Sequence, residues 1–182
     1  AAEGLAKLTR RPGVAMLTAG PGVTNGVSAV TTAWFNGSPL VVVGGRAADA
    51  RWGVGSLQEL DHVPLLAPVT KHAATVHATA DIPGALREAM RVAHTPHRGP
   101  VFLDVPLDVL FDSAASSLAP WVDPVGPEPD PDEVARAAAL LAQAQRPALV
   151  AGTDVYWEGA WDELRAAVEH LRVPTFANGL GR

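Results

Sequence analysis

Cysteine is absent from the 182 residues. Disulfides and thiol chemistry are therefore excluded, and a zinc site would need histidines and carboxylates alone. Positive charge is also scarce. Fourteen Lys and Arg face nineteen Asp and Glu, a net charge of −5. Wrapping nucleic acid takes a basic face, so no nucleic-acid partner is expected. No apolar run approaches the ~20 residues of a membrane span, and no secretory leader is read at the start. The expectation is a soluble cytoplasmic protein with no membrane partner. Aromatic residues make up only 5% of the chain. Trp34, Trp52, Trp121, Trp157 and Trp161 are too scattered for a base-stacking platform and read as packing anchors.

What is present is apolar and ordered along the chain. Hydrophobic residues reach 48%, enough for a buried core. Short apolar runs at residues 14–19, 39–44 and 101–105 read as buried strands, and residues 71–76 as a further strand between them. Between them lie helical patterns. Residues 23–35 are rich in Ala, Val and Thr, and their place between two strands outweighs a weak helix propensity. Ile82, Leu86, Ala89, Met90 and Ala93 fall on one helical face, with Asp81 as cap and Pro83 in the first turn. Solid strands alternating with helices predict an α/β fold, a parallel sheet covered by helices on both faces.

Composition shifts at residue 112. Pro120, Pro124, Pro127 and Pro129 mark an extended linker over residues 112–130. A new unit then starts on Asp130-Pro131-Asp132-Glu133, which places Asp at the N-cap, Pro at N1 and Glu at N3. Val134, Ala137, Ala138 and Leu141 form its expected buried stripe. Strands at 148–152 and 173–177 flank a second amphipathic helix carrying Ala160, Trp161, Leu164, Ala167, Val168 and Leu171. Both ends read as cuts. Residues 1–10 have helical composition without a cap or an initiating Met, and the chain stops directly after a strand. The expected divisions are 1–111, a linker at 112–130, and 131–182, all within a longer polypeptide.

Two stretches can carry chemistry. "GPGVTN", residues 20–25, joins a strand to a helix. Gly20 and Gly22 allow close backbone approach, and Pro21 stiffens the turn. Short glycine motifs fit a ligand loop and an ordinary strand-to-helix turn equally well. "GSLQELD", residues 55–61, lies at the end of a long polar loop, a kind of segment that is usually functional. Gln58 is a neutral donor and acceptor there. Glu59 and Asp61 fit a solvated helix start better than an acid–base pair. The six histidines show no ligand spacing: His72 and His77 fall on opposite sides of a strand, Pro96 separates His94 from His97, and His62 and His170 stand alone. No residue is assigned to a metal, and neither a serine elbow nor a Gly-Lys-Ser/Thr phosphate loop is present.

In order along the chain stand "GPGVTN", "SPLVVVGGRA", "GSLQELDHVPLLAPVTKHA", "RGPVFLDVPLDV", "RPALVAGTDVYW" and "PTFANGLGR". The set resembles the thiamine-diphosphate enzymes of the acetolactate synthase group across nearly the whole chain. The resemblance implies a pyrimidine-binding domain up to residue 111 and the start of a Rossmann-like central domain from 131. It implies thiamine diphosphate, with Mg2+ and the diphosphate held by a third domain. It also implies a homodimer or homotetramer with the active site between subunits. By position, Gly20, Pro21, Gly22 and Asn25 would line the aminopyrimidine, and Gln58 would reach the reacting carbon. The family's activating glutamate would precede Ala1; Glu3 is not the matching position. The implied reaction decarboxylates a 2-keto acid and transfers the acyl-anion unit to a second carbonyl. The isolated 182 residues are expected to be inactive.

Two departures bear on substrate. Biosynthetic members read "GRPGPV" where this chain has "PHRGPV", with His97 and Arg98 shifted, and "PKDV" where it has "PLDV", with Leu107 replacing Lys. In the family the Arg helps to hold FAD and the Lys lies at the substrate entrance. Loss of a fixed charge weakens the hold on an anion, which argues against FAD and the standard keto acids. A 2-hydroxyacyl-CoA lyase or oxalyl-CoA decarboxylase is the alternative within the family. A noncatalytic nucleotide-binding α/β module, its second unit holding FAD or ADP, is the alternative outside it.

Overall fold

The computed structural model describes residues 1–115, 120 and 128–181. The chain divides into two compact units, Ala1–Pro124 and Val125–Arg182. Most of the Pro-rich linker, including Pro124, Pro127 and Trp121, lies outside the described residues.

The first unit is built on four strands: β1 (Gly13–Leu17), β2 (Leu40–Arg46), β3 (His72–Thr75) and β4 (Pro100–Pro106). All neighbours are parallel, in the order β1-β2-β4-β3. Gly13 pairs with Leu40, Leu40 with Pro100, and His72 with Val101. β2 and β4 are the central strands, which is why they read as mostly apolar: both faces are covered. Its α-helices among the described residues are α1 (Ala2–Thr9), α2 (Pro21–Phe35), α3 (Val63–Leu66), α4 (Ile82–His94) and α5 (Leu107–Phe111).

Strand alternation separates two cores. On one face Leu40, Val42 and Phe102 pack with Val23, Val30 and Ala33 of α2 and Leu66 of α3. On the other, Val41, Val101 and Leu103 pack with Ala89 and Ala93 of α4, flanked by Ile82, Leu86 and Met90. The expected helical face of α4 is therefore the buried one. Asp81 differs from expectation. It already has helical angles (φ −86°, ψ −16°) and makes no side-chain cap bond. A short 3-10 turn, Thr79–Asp81, leads straight into α4, so Asp81 never takes the extended geometry that capping needs.

Glu3 ties α1 to the end of α2. Its carboxylate accepts from Asn36 Nδ2 at 3.0 Å and Ser38 Oγ at 3.1 Å and pairs with Lys7 at 2.8 Å. Burial pushes its pKa up, but these donors hold it below the ordinary value.

The second unit has a two-stranded parallel sheet, β5 (Leu149–Ala151) and β6 (Thr175–Ala177), with α6 (Pro131–Gln143), α7 (Thr153–Glu158) and α8 (Trp161–Leu171). Asp130 caps α6 as expected, its side chain accepting from Asp132 N–H at 2.9 Å. The stripe on α6 is not buried. Val134, Ala137, Ala138 and Leu141 are all exposed, because no described element of this small unit covers that face. On α8, Leu164, Ala167 and Val168 are half-buried, while Trp161 and Leu171 are exposed. Of the described tryptophans only Trp157 is a buried anchor; Trp34, Trp52 and Trp161 keep more than a third of their surface exposed.

Candidate functional site

β1, β2 and β4 all end on one side of the sheet, and parallel sheets place ligands at the carboxyl ends of their strands. Three segments meet there: the turn after β1, the end of β2 at Gly44-Gly45-Arg46, and the loop that carries Gln58.

The turn after β1 depends on Gly20. Its backbone lies at φ 56°, ψ −113°, a region closed to residues with a Cβ. A Cβ there would stand 3.0 Å from Gln58 Cβ and 3.2 Å from the Gln58 backbone. The first glycine of the motif therefore admits the Gln58 loop. Pro21 follows at N1 of α2, where its missing N–H costs nothing.

Gln58 itself has φ 61°, an uncommon conformation for a residue with a side chain. Glu59 holds the loop in that shape. Its two carboxylate oxygens accept from the Gly53 N–H at 3.0 Å and the Ser56 N–H at 3.1 Å. Glu59 is thus committed to holding this loop rather than to a helix start, since α3 begins only at Val63, and Asp61 is exposed. The Gln58 side chain is exposed and makes no hydrogen bond among the described residues.

Beneath the turn lies a buried polar chain. His62 is fully buried, and its Nε2 accepts from the Gly20 N–H at 3.0 Å. Its Nδ1 faces both oxygens of Asp104, at 3.1 and 3.2 Å. The ring meets Phe102 edge-on. Asp104, also fully buried, has Arg46 Nη1 4.0 Å from Oδ2. Arg46 donates to Thr75 Oγ1 at 2.9 Å, and its guanidinium lies 3.7 Å over the Trp52 ring. Burial pushes the Asp104 carboxyl up to about 6, against the opposing pull of His62 and Arg46.

Gln58 and Arg46 open onto a groove of about 330 Å³, walled by Leu57, Val105, Leu107 and Leu110. Most of its wall is apolar, with few polar groups, as small-molecule sites are. A larger and more open hollow of about 670 Å³ is bounded by His77, Thr79, Asp108 and Phe111. Its Asp108 carboxylate is spent on the N–H groups of Asp49 and Ala50, which makes it the weaker candidate.

Of the expected site residues, the fold brings Gly20 and Gln58 into contact. Pro21, Gly22 and Asn25 lie on the first turns of α2, Pro21 and Asn25 exposed and Gly22 half-buried, and none lines the groove. No cluster of three metal-ligating side chains occurs among the described residues. His62, Asp104 and Arg46 were missed as a group. One signal pointed to them: the carboxylate of Asp104 sits inside the apolar run "VFLDV", and a buried carboxylate must find partners.

Residues 1–65 match the family described as thiamine pyrophosphate enzyme, N-terminal TPP binding domain, and residues 134–182 match the central domain of the same enzymes. A probable acetolactate synthase of Mycobacterium bovis is 47% identical over 185 residues, covering all of this chain and 34% of the relative. Human 2-hydroxyacyl-CoA lyase 2 is 33% identical over 219 residues, again covering all of this chain and 35% of the relative. Among solved structures, a thiamine diphosphate-dependent 4-hydroxybenzoylformate decarboxylase of Rhodococcus jostii aligns with a TM-score of 0.82 and 26% identity, covering 97% of this chain and 34% of that one. The chain spans about a third of the length of the curated relatives it matches. The parallel sheet, the two domain matches in order and the likeness along the whole chain converge: the chain belongs to the thiamine pyrophosphate enzymes and carries sequence of their N-terminal and central domains.

Proposed function

We propose that this chain is the pyrimidine-binding part and the start of the central domain of an acetolactate synthase-like enzyme. The complete protein decarboxylates a 2-keto acid and joins the acyl unit to a second carbonyl. The observation that carries this reading is the 47% identity to an acetolactate synthase along the entire chain. The domain division proposed is 1–111, a linker at 112–130, and 131–182.

The residues present fit the cofactor's aminopyrimidine. That ring is uncharged and heteroaromatic, with nitrogen donors and acceptors. Asn25 and Gln58 are exposed amides with hydrogen-bonding capacity to spare, and Gly20-Pro21-Gly22 form a stiff turn beside them. Gly20, Pro21, Gly22 and Asn25 would hold the ring. When bound, thiamine diphosphate supplies the electron sink for breaking a carbon–carbon bond next to a carbonyl. Gln58, on an anchored loop at the edge of an apolar groove, orients the substrate carbonyl through its amide. Leu57, Leu107 and Leu110 keep water from that edge. We place Mg2+ and the diphosphate outside these residues. A homo-oligomer with the site between subunits and a cytoplasmic location complete the reading, and FAD is not required by it.

The test uses the complete protein with thiamine diphosphate and Mg2+. Pyruvate should be consumed with formation of carbon dioxide and acetolactate. A second reading rests on the 2-hydroxyacyl-CoA lyase relative: cleavage of a 2-hydroxyacyl-CoA with pyruvate untouched would replace the first. Gln58→Ala should lower kcat by tenfold or more, roughly the worth of one oriented hydrogen bond, with thiamine diphosphate affinity little changed. Unchanged turnover would remove Gln58 from the mechanism.

A further inference from the structure

We propose that His62 is a positioning residue that holds the Gly20 turn in place in only one form, the neutral ring with its proton on Nδ1, and that Asp104 and Arg46 fix that form. The inference rests on the cofactor reading for its consequence, though not for its geometry.

The tautomer follows from the partners. The Gly20 N–H is a donor, so the Nε2 that it meets at 3.0 Å must carry a lone pair. The ring proton therefore sits on Nδ1, where both Asp104 oxygens accept it at 3.1 and 3.2 Å. Arg46 stands 4.0 Å behind the carboxylate and supplies the countercharge. The chain Arg46–Asp104–His62–Gly20 thus runs from the end of β2 through β4 to the turn. All four members are buried, and each is oriented by the one before it.

This arrangement clamps the turn from below, while the Gln58 backbone lies over it closely enough that a Cβ at Gly20 would meet it at 3.2 Å. Gly20 has no side chain to anchor it, and glycine's wide backbone freedom leaves the turn other conformations to adopt. Without an acceptor the buried Gly20 N–H is left unpaired, which is costly in a dry site. The turn then has reason to open, and with it the approach of Gln58.

An added proton finds no good place in this chain. On Nε2 it faces the Gly20 N–H, donor against donor. On Asp104 it lies on the side facing the Arg46 donors. The charged groups that bear on the pair are Arg46 from β2, Asp61 from the loop that carries His62, and Asp49 beyond Arg46 at 3.8 Å. Strand β3 offers the Thr75 hydroxyl. α2, α3 and β1 contain no charged residue.

The experiment compares the complete parent protein with His62→Gln and His62→Leu. Gln can accept from Gly20 and donate to Asp104; Leu can do neither. The first readout needs no cofactor: long-range proton–nitrogen NMR of the imidazoles and hydrogen exchange of the Gly20 amide. We expect the Nδ1–H form of His62 at neutral pH, and a Gly20 amide that exchanges at least about tenfold faster in His62→Leu than in His62→Gln. The second readout is thiamine diphosphate affinity at neutral pH. Affinity should drop about tenfold or more in His62→Leu and be partly rescued in His62→Gln. An Nε2–H tautomer or equal behaviour of the two variants overturns the proposal. A parent that binds no thiamine diphosphate while His62 keeps the Nδ1–H form and protects the Gly20 amide supports the clamp and sinks the cofactor reading instead.

Discussion

Replacing Gly20 by Ala tests the central contact of the site. The added Cβ meets Gln58 Cβ at 3.0 Å and Gln58 Cα and O at 3.2 Å. Carbon pairs rest at about 3.5–4.0 Å, so the overlap is several tenths of an ångström on three atoms. Two of the three belong to backbone, and the third is fixed to it, so no side-chain rotation relieves the clash. Overpacking of this kind costs about 1–3 kcal/mol. A Cβ at φ 56°, ψ −113° adds roughly another 1–3 kcal/mol. The sum is about 2–6 kcal/mol unless the Gln58 loop moves away, and Glu59 resists that movement through two amides.

The assay is thermal unfolding of the complete protein, with thiamine diphosphate binding measured in parallel. For a domain of this size 1 kcal/mol corresponds to about 4–8 °C, so the transition of the first unit should fall by at least about 10 °C. A matched control predicts the opposite sign. Gly4 lies within α1 and a Cβ there meets nothing within 4 Å, so Gly4→Ala should stabilise by about 0.5–1 kcal/mol. If Gly20→Ala unfolds with the parent and binds cofactor equally well, the packing of the two loops described here is wrong.

Two further outcomes follow from the same contacts. Glu59→Ala releases the amides of Gly53 and Ser56 and with them the loop that holds Gln58 at φ 61°, so kcat/KM should fall about tenfold or more while the melting temperature shifts by only a few degrees; equal kcat/KM would show that the loop holds its shape without Glu59. Glu3→Gln keeps acceptors for Asn36 and Ser38 but loses the charge facing Lys7, and should cost about 0.5 kcal/mol at pH 7 once solvent screening is allowed for. Because the Glu3 pKa is lowered on folding, its contribution is present above the ordinary 4.5 and is lost as pH falls through the folded value. Urea unfolding at pH 7 and pH 3.5 should therefore show the gap between variant and parent closing at the lower pH, and a gap that widens there would contradict the pairing.

The fold was legible because its signals are local. β2 and β4 are short, mostly apolar runs bounded by glycine and proline, and the 3.6-residue spacing of Ile82, Leu86, Ala89 and Ala93 gave α4 its buried face before any contact was known. Asp130 capped α6 as its pattern foretold. The stripe of α6 was misread for a reason that spacing does not contain. An apolar face shows that a helix can be buried, and the partner that buries it has to be present; within residues 125–182 none of the described elements covers Val134 or Leu141. The short helices α3, α5 and α7 hold too few residues for a period to show.

The site was only half legible, and the missing half is nonlocal. Gly20 and Gln58 stand out by residue type, but their contact spans 38 positions, and His62 reaches Asp104 across 42. No spacing rule links residues so far apart. What the sequence did hold was an inconsistency: a carboxylate at Asp104 in a run of buried apolar residues, and a histidine in "LDHVP" beside no other ligand. Each is expensive to bury alone. Together, with Arg46 at the end of a neighbouring strand, they satisfy one another. Two unexplained polar residues in apolar surroundings are best read as candidates for each other's partner. In a parallel sheet that inference sharpens. Arg46 and Asp104 are the last and the fifth residues of β2 and β4, adjacent strands that end at the same edge, and that edge is where the loop carrying His62 must pass.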